Sequence, residues 1–225
     1  MATFCLIHGN WHGDSSWEPV VAELRRRGHE TVAPDLPIDD PASTYEERVA
    51  PALGTLEGLS APVVVVGHSA ASGYAAIVAS RAQAALLVYL CPRLEQFQPP
   101  DAPRVFRETL RFPPRSAEGA IAWEREDAIE QMYPRLEPEV AAALADDLRP
   151  TAPPPDEFPL NGHPDVEPVV VYASDDEFFE PEWERFIARE IGADAIEIAG
   201  GHFPMAEDPK GLAELLDRLA RERTG

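Results

Sequence analysis

Lysine is almost missing from this chain. Lys210 is the only one, and Lys plus Arg reach 19 against 40 Asp plus Glu, for a net charge of −21. A field of that sign repels phosphate backbones and anionic bilayers, so neither nucleic acid nor a membrane is expected as a partner. Cysteine is nearly as scarce. Cys5 and Cys91 are too few for a disulfide framework, and both lie in apolar runs, which reads as buried thiols in a reducing cytoplasm. No apolar run nears the ~20 residues that cross a bilayer. The opening "MATFCLIHGN" lacks the basic n-region of a secretory signal, so a cytoplasmic protein is expected. Internal repeats are missing too. What remains is 225 residues, 44% hydrophobic and 26% charged, enough for one domain with a sizeable core.

Within that length, strand and helix patterns alternate. "TFCLIHG" (3–9), the valines at 63–66, "AALLVYLC" (84–91) and "PVVVYAS" (168–174) are apolar runs with polar residues only at their ends and no polar alternation. Such strands are buried on both faces, as in a mostly parallel sheet covered by helices. Between them, "SSWEPVVAELRRRG" carries Trp17, Val20, Val21 and Leu24 on one helical face. There Ser15 and Glu18 have the spacing of a capping box, and Gly28 is placed to end the helix. At the far end Leu212, Leu215, Leu216 and Leu219 share a face, behind Asp208-Pro209 as cap and first helical position. The expected fold class is α/β: a three-layer α/β/α sandwich with about six strands.

Residues 93–162 break the rhythm. They are proline-rich at both ends and carry helical patterns at 116–133 and 138–149. This predicts a small helical cap inserted between two strands, hinged by prolines, and a candidate lid.

Chemistry concentrates at strand ends. In "VVVVGHSAAS", Ser69 follows a buried strand and precedes an Ala-rich helix, with small residues two before (Gly67) and two after (Ala71). This spacing fits a nucleophile elbow, whose serine projects above the carboxyl ends of the strands. It equally fits a helix N-cap. A nucleophilic serine needs a base. His202, in the loop after the last strand, lies at the same sheet edge. The other five histidines, His8, His12, His29, His68 and His163, read as structural, with His12 bracing the first loop and His29 and His163 at surface turns. The base needs an orienting carboxylate, and Asp175, Asp176 and Glu177 follow the penultimate strand. Serine, then acid, then histidine is the chain order of one large hydrolase class. "HGNWHG" after the first strand offers a backbone donor at Asn10 to pair with Ala70 for a developing oxyanion, and Gly9 permits close approach.

Together these segments resemble the α/β-hydrolase superfamily over essentially the whole chain. "LIHGNWHGDSSWEPVVAELRRRGHETVAPDLP" is similar to the opening of the small plant methylesterase and hydroxynitrile lyase group and its bacterial relatives. "VVVVGHSAASGYAAIVA", "YASDDEFFEP" and "GGHFPMAEDPKGLAELL" match the elbow, acid and histidine segments. The resemblance implies the α/β-hydrolase fold and places the acid three residues after Ala173, at Asp176 rather than Asp175. It departs at Ala71, where many relatives have Gly, and at "DLPIDDP". The group's lyases carry Thr or Asn where this chain has Gly9, and some carry Lys where it has Phe203. Neither is present here.

The resulting expectation is a serine hydrolase of a small or medium hydrophobic carboxylic ester. Ser69, His202 and Asp176 are its catalytic residues, and the Asn10 and Ala70 amides its oxyanion hole. Trp11, Phe106, Phe112, Trp123, Tyr133 and Phe203 are candidate pocket walls. No metal or cofactor is implied. The alternative is a non-hydrolytic protein of this fold, either a ligand-binding receptor or a lyase or natural-product tailoring enzyme.

Overall fold

The computed structural model describes residues 1–59 and 61–224. Six parallel strands form one sheet in the order β2-β1-β3-β4-β5-β6. They are β1 (Thr3–Ile7), β2 (Glu30–Val32), β3 (Val63–His68), β4 (Leu86–Leu90), β5 (Pro168–Ala173) and β6 (Asp194–Ile198). Every residue of β1 and β4 is buried, as is all but the first of β3 and β5. This is why these strands read as unbroken apolar runs. The edge strand β6 is half exposed, and its Asp and Glu face solvent.

Topology fixes the layers. The chain leaves β1 through α1 (Glu18–Arg26) to β2 on one side, then returns through α2 (Tyr45–Leu56) across β1 to β3. From there α3 (Ser72–Arg81) leads to β4, and α6 (Pro181–Glu190) joins β5 to β6. Right-handed crossovers in opposite directions put α1 on one face and α2, α3 and α6 on the other. The last helix, α8 (Pro209–Arg223), packs on α1, and α2 packs on α3. A short α7 (Pro204–Glu207) precedes α8. The direction reverses between β1 and β3, and the crevice outside their carboxyl ends is where such sheets bind ligands.

Local expectations met mixed outcomes. Asp208 does cap α8, accepting from Gly211 N at 2.9 Å, with Pro209 at the first position. Gly28 does follow α1 at φ +85°. The Ser15–Glu18 capping box does not form. Residues Asp14–Trp17 make a 3-10 turn first, Ser15 pairs with Asp147, and Ser16 Oγ donates to Gly13 O at 2.8 Å. A full capping box forms instead at Thr44 and Glu47, heading α2. His29 is buried, not at a surface turn, because its Nε2 pairs with Asp217 of α8 at 2.8 Å.

Between β4 and β5 the chain carries α4 (Arg125–Met132) and α5 (Pro138–Asp146), so the first helix begins nine residues later than the pattern at 116–133 predicts. The preceding stretch is extended, with bridges from Ile121 to both Arg115 and Thr151. Gly119 at φ +81° makes this turn, which a helix starting at 116 does not accommodate.

Candidate active site

Ser69 stands at the abrupt junction of β3 and α3, with φ +55°. A non-glycine residue in the left-handed region at such a turn carries strain of order 1–3 kcal/mol, held by its surroundings. The neighbours are small because space is absent. A Cβ on Gly67 would collide with Ala75 Cβ and come to 3.1 Å of Ala71 O. Ala71, the atypical residue of the motif, lies at φ −72°, ψ −3°, ordinary right-handed backbone, so its methyl adds no strain.

His202 Nε2 lies 3.0 Å from Ser69 Oγ, and His202 Nδ1 lies 2.7 Å from Asp176 Oδ2. Asp176 accepts at its other oxygen from the backbone N–H of Phe178 (2.7 Å) and Phe179 (2.8 Å). With Nδ1–H donating to the carboxylate, Nε2 is left to accept the serine proton. All three residues are buried. Asp175, the neighbouring acid, is exposed and hydrogen-bonded to Ser174 Oγ. The imidazole is held from several sides. Phe178 stacks on it with centroids 4.5 Å apart, and Phe179 and Phe203 meet it edge-on.

Three further residues support the site: Glu207, which the sequence reading does not name, Glu177, which it offers only as one of three candidate acids, and His68, which it reads as structural. Glu177 accepts from His202 N at 2.9 Å, Glu207 accepts from Gly201 N at 3.0 Å, and His68 Nε2–H donates to His202 O at 2.8 Å. Together they hold the histidine loop by its backbone. The signal available for His68 and Glu177 was only their adjacency to Ser69 and Asp176.

The first loop approaches from the other side. A Cβ on Gly9 would come within 2.9 Å of His68 Nδ1 and 3.3 Å of Ser69 Cβ, so this position admits no side chain without displacement. Trp11 adopts φ +66° and is held by residues of the insertion. Its N–H donates to Thr151 Oγ1 at 2.7 Å, its indole to Ile121 O at 3.1 Å, and its carbonyl accepts from Arg149 N at 2.9 Å. Replacing Thr151 with valine leaves the buried Trp11 amide without an acceptor. We expect a stability loss of about 1–2 kcal/mol and a fall in kcat, since the loop carrying Asn10 loses an anchor. Denaturant melts and steady-state kinetics check both.

His12 links the same loop to α4. Its Nδ1–H donates to Asn10 O at 2.8 Å, and its Nε2 accepts from Tyr133 Oη at 2.7 Å. Burial pulls its pKa down to about 4. The unfolded chain therefore binds a proton there that the folded chain refuses, and stability falls as pH drops from about 6.5 towards 4. His12 alone accounts for about 3 kcal/mol of that loss. Unfolding free energies at pH 7 and pH 4.5 should show a smaller difference in His12→Gln than in the native chain.

Ser69, Asn10, Ala70 and Trp11 open into one cavity of about 340 Å³, walled further by Phe106, Phe112, Phe178 and Phe179. Trp123, Tyr133 and Phe203 do not reach it. Trp123 packs edge-on behind Trp11, and Tyr133 and Phe203 pack on each other and on His12. Nor is the cavity simply apolar, because Arg93 and Arg115 line it.

Among the described residues, one cluster has the spacing of metal ligands: Cys91, Asp176 and His202, with ligand atoms within 4.8 Å of one another. Both oxygens of Asp176 and both ring nitrogens of His202 already have partners. Burial, then the Asp176 and Glu184 charges, pushes the Cys91 thiol well above its ordinary range. A cation there requires breaking this hydrogen-bonded chain. Among the described residues, no helix is long and apolar enough to cross a membrane.

Residues 6–215 match the model of an alpha/beta hydrolase family. The chain is 38% identical over 76 residues to "Esterase PIR7B" of Oryza sativa subsp. japonica, a stretch covering 29% of this chain and 28% of that protein. It thus matches under a third of that relative's length. A pyrethroid hydrolase from Sphingobium faniae JZ-2 superposes with a TM-score of 0.80 at 20% identity, over 98% of this chain and 97% of that one. A methylesterase from Arabidopsis superposes with a TM-score of 0.73 at 17% identity, over 98% and 99% of the two chains.

Proposed function

The chain belongs to the alpha/beta hydrolase family, and from that premise we propose that it hydrolyses carboxylic esters through Ser69. The observation that carries this reading is the unbroken hydrogen-bonded sequence Ser69–His202–Asp176 at the mouth of a cavity on the sheet's switch point. In this reading Ser69 Oγ attacks the ester carbonyl while His202 Nε2 takes its proton. Asp176 holds the Nδ1–H tautomer and stabilises the imidazolium. The backbone amides of Asn10 and Ala70 receive the oxyanion, each contributing about 3 kcal/mol to the transition state. His202 then protonates the leaving alcohol and activates water against the acyl-enzyme. No metal or cofactor enters these steps.

The esterase and hydrolase names of the relatives support the same reaction class. A lyase reading is disfavoured by Gly9, where an added side chain meets His68 Nδ1 at 2.9 Å. The two buried free thiols, Cys5 and Cys91, support action in a reducing cytoplasm.

A fluorophosphonate probe should label the native protein, which should also cleave short p-nitrophenyl esters. Absence of both, with ligand still bound by Ser69→Ala, would instead support a non-hydrolytic binding protein.

A further inference from the structure

The chain holds 40 acidic residues and 19 basic ones, yet the cavity that Ser69 opens into has the opposite balance. Among the described residues, Arg93 and Arg115 line it and no Asp or Glu does. Arg93 begins beside the nucleophile, since its N–H donates to Ser69 O at 3.1 Å. Its guanidinium lies 5.2 Å from the centroid of Phe106, another wall residue. Glu95 takes Nε and Nη2 of Arg93, at 2.6 and 2.5 Å, from an adjoining cavity that shares Asn10, Ala70, Arg93, Ala152 and Pro154 with this one. The Nη1 edge of Arg93 has no acceptor among the described residues. Arg115 has no carboxylate within ion-pair distance among them either, and its Nη1 donates only to Gly119 O at 2.8 Å.

A guanidinium beside an aromatic wall, with donors left over, is suited to a planar carboxylate. The whole-chain field opposes anions, so attraction for one has to be local, and the opposition grows with each added negative charge. A monoanion therefore fits better than a doubly charged phosphate. Trp11, Phe112 and Phe178 supply an apolar passage in the same cavity. Resting on the ester-hydrolase reading, we propose that the cavity selects esters carrying a second, ionised carboxylate beyond a short apolar segment, held by Arg93 and Arg115. Half-esters of aliphatic dicarboxylic acids are the simplest such substrates.

The test pairs mono-4-nitrophenyl esters of four- to eight-carbon diacids with the same molecules capped as methyl esters. For at least one chain length, native kcat/KM should favour the charged form about tenfold, the worth of a charge-assisted hydrogen bond. The preference should shrink in high salt. In Arg93→Gln/Arg115→Gln the ratio should fall to one or below. Preference for the capped ester at every length, or an equal loss on both forms in the double variant, overturns the proposal. Calorimetric binding of both forms to Ser69→Ala reads the same selectivity without turnover. Charged-form binding there with no turnover by the native chain would overturn the hydrolase reading while sustaining the carboxylate site.

Discussion

Ser69→Ala should lower kcat for p-nitrophenyl esters by roughly 10⁶-fold, to the residual level left by the oxyanion amides and substrate binding. On the proposed mechanism, the size follows from the loss of the attacking hydroxyl. Ser69 Oγ is the group His202 Nε2 faces, at 3.0 Å, and a methyl there offers nothing to deprotonate. The fold should be almost unaffected. Ser69 is held at φ +55° by the β3–α3 junction, and alanine at that φ costs no more backbone strain than serine. Circular dichroism and melting should match the native chain, while fluorophosphonate labelling disappears. A variant that keeps a tenth of the activity with intact structure would show that Ser69 is a cap and the chemistry lies elsewhere.

Asp176→Asn should cost about 10⁴-fold in kcat with little loss of stability. An asparagine oxygen can still take the Phe178 and Phe179 amides, at 2.7 and 2.8 Å in the native chain. Its NH₂ group then faces His202 Nδ1, so the imidazole accepts there and carries its proton on Nε2. In that tautomer it cannot take a proton from Ser69. Asp176→Ala makes a useful contrast, because it strands two buried amides and should also destabilise the protein by about 1–3 kcal/mol. Asp175→Asn, on an exposed carboxylate, should leave kcat within a few-fold of native. If Asp175→Asn is the damaging change, the acid has been misassigned.

Much of this arrangement was legible in the sequence because it rests on local rules. Strands covered on both faces lack polar alternation, so β1, β3, β4 and β5 announce themselves as apolar runs. The ends of β3 and β5, with the loop after the edge strand β6, place Ser69, Asp176 and His202 at one edge. The insertion was far less legible. The direction of a side chain in 93–123 depends on bridges such as Phe106–Phe179 and Ile121–Thr151, which join positions tens of residues apart. Thus Arg93 and Arg115 line the cavity, while Trp123 and Tyr133 pack behind it, and hydrophobicity alone points the opposite way. His29 was misread for the same reason, since its partner Asp217 lies 188 residues away. At Ser15 the capping-box spacing was present, but a competing 3-10 turn took the same residues.

The anchoring of Trp11 by Ile121, Arg149 and Thr151 bears on how this scaffold tolerates recombination. Exchanging the segment between β4 and β5 for that of a relative would replace the cavity walls and, in the same stroke, the three supports of the loop that carries Asn10. Chimaeras made that way should lose turnover on every substrate, not merely change their preference. Grafts confined to the wall-forming stretch around 104–116, which leave positions 121, 149 and 151 in place, should alter selectivity while turnover survives.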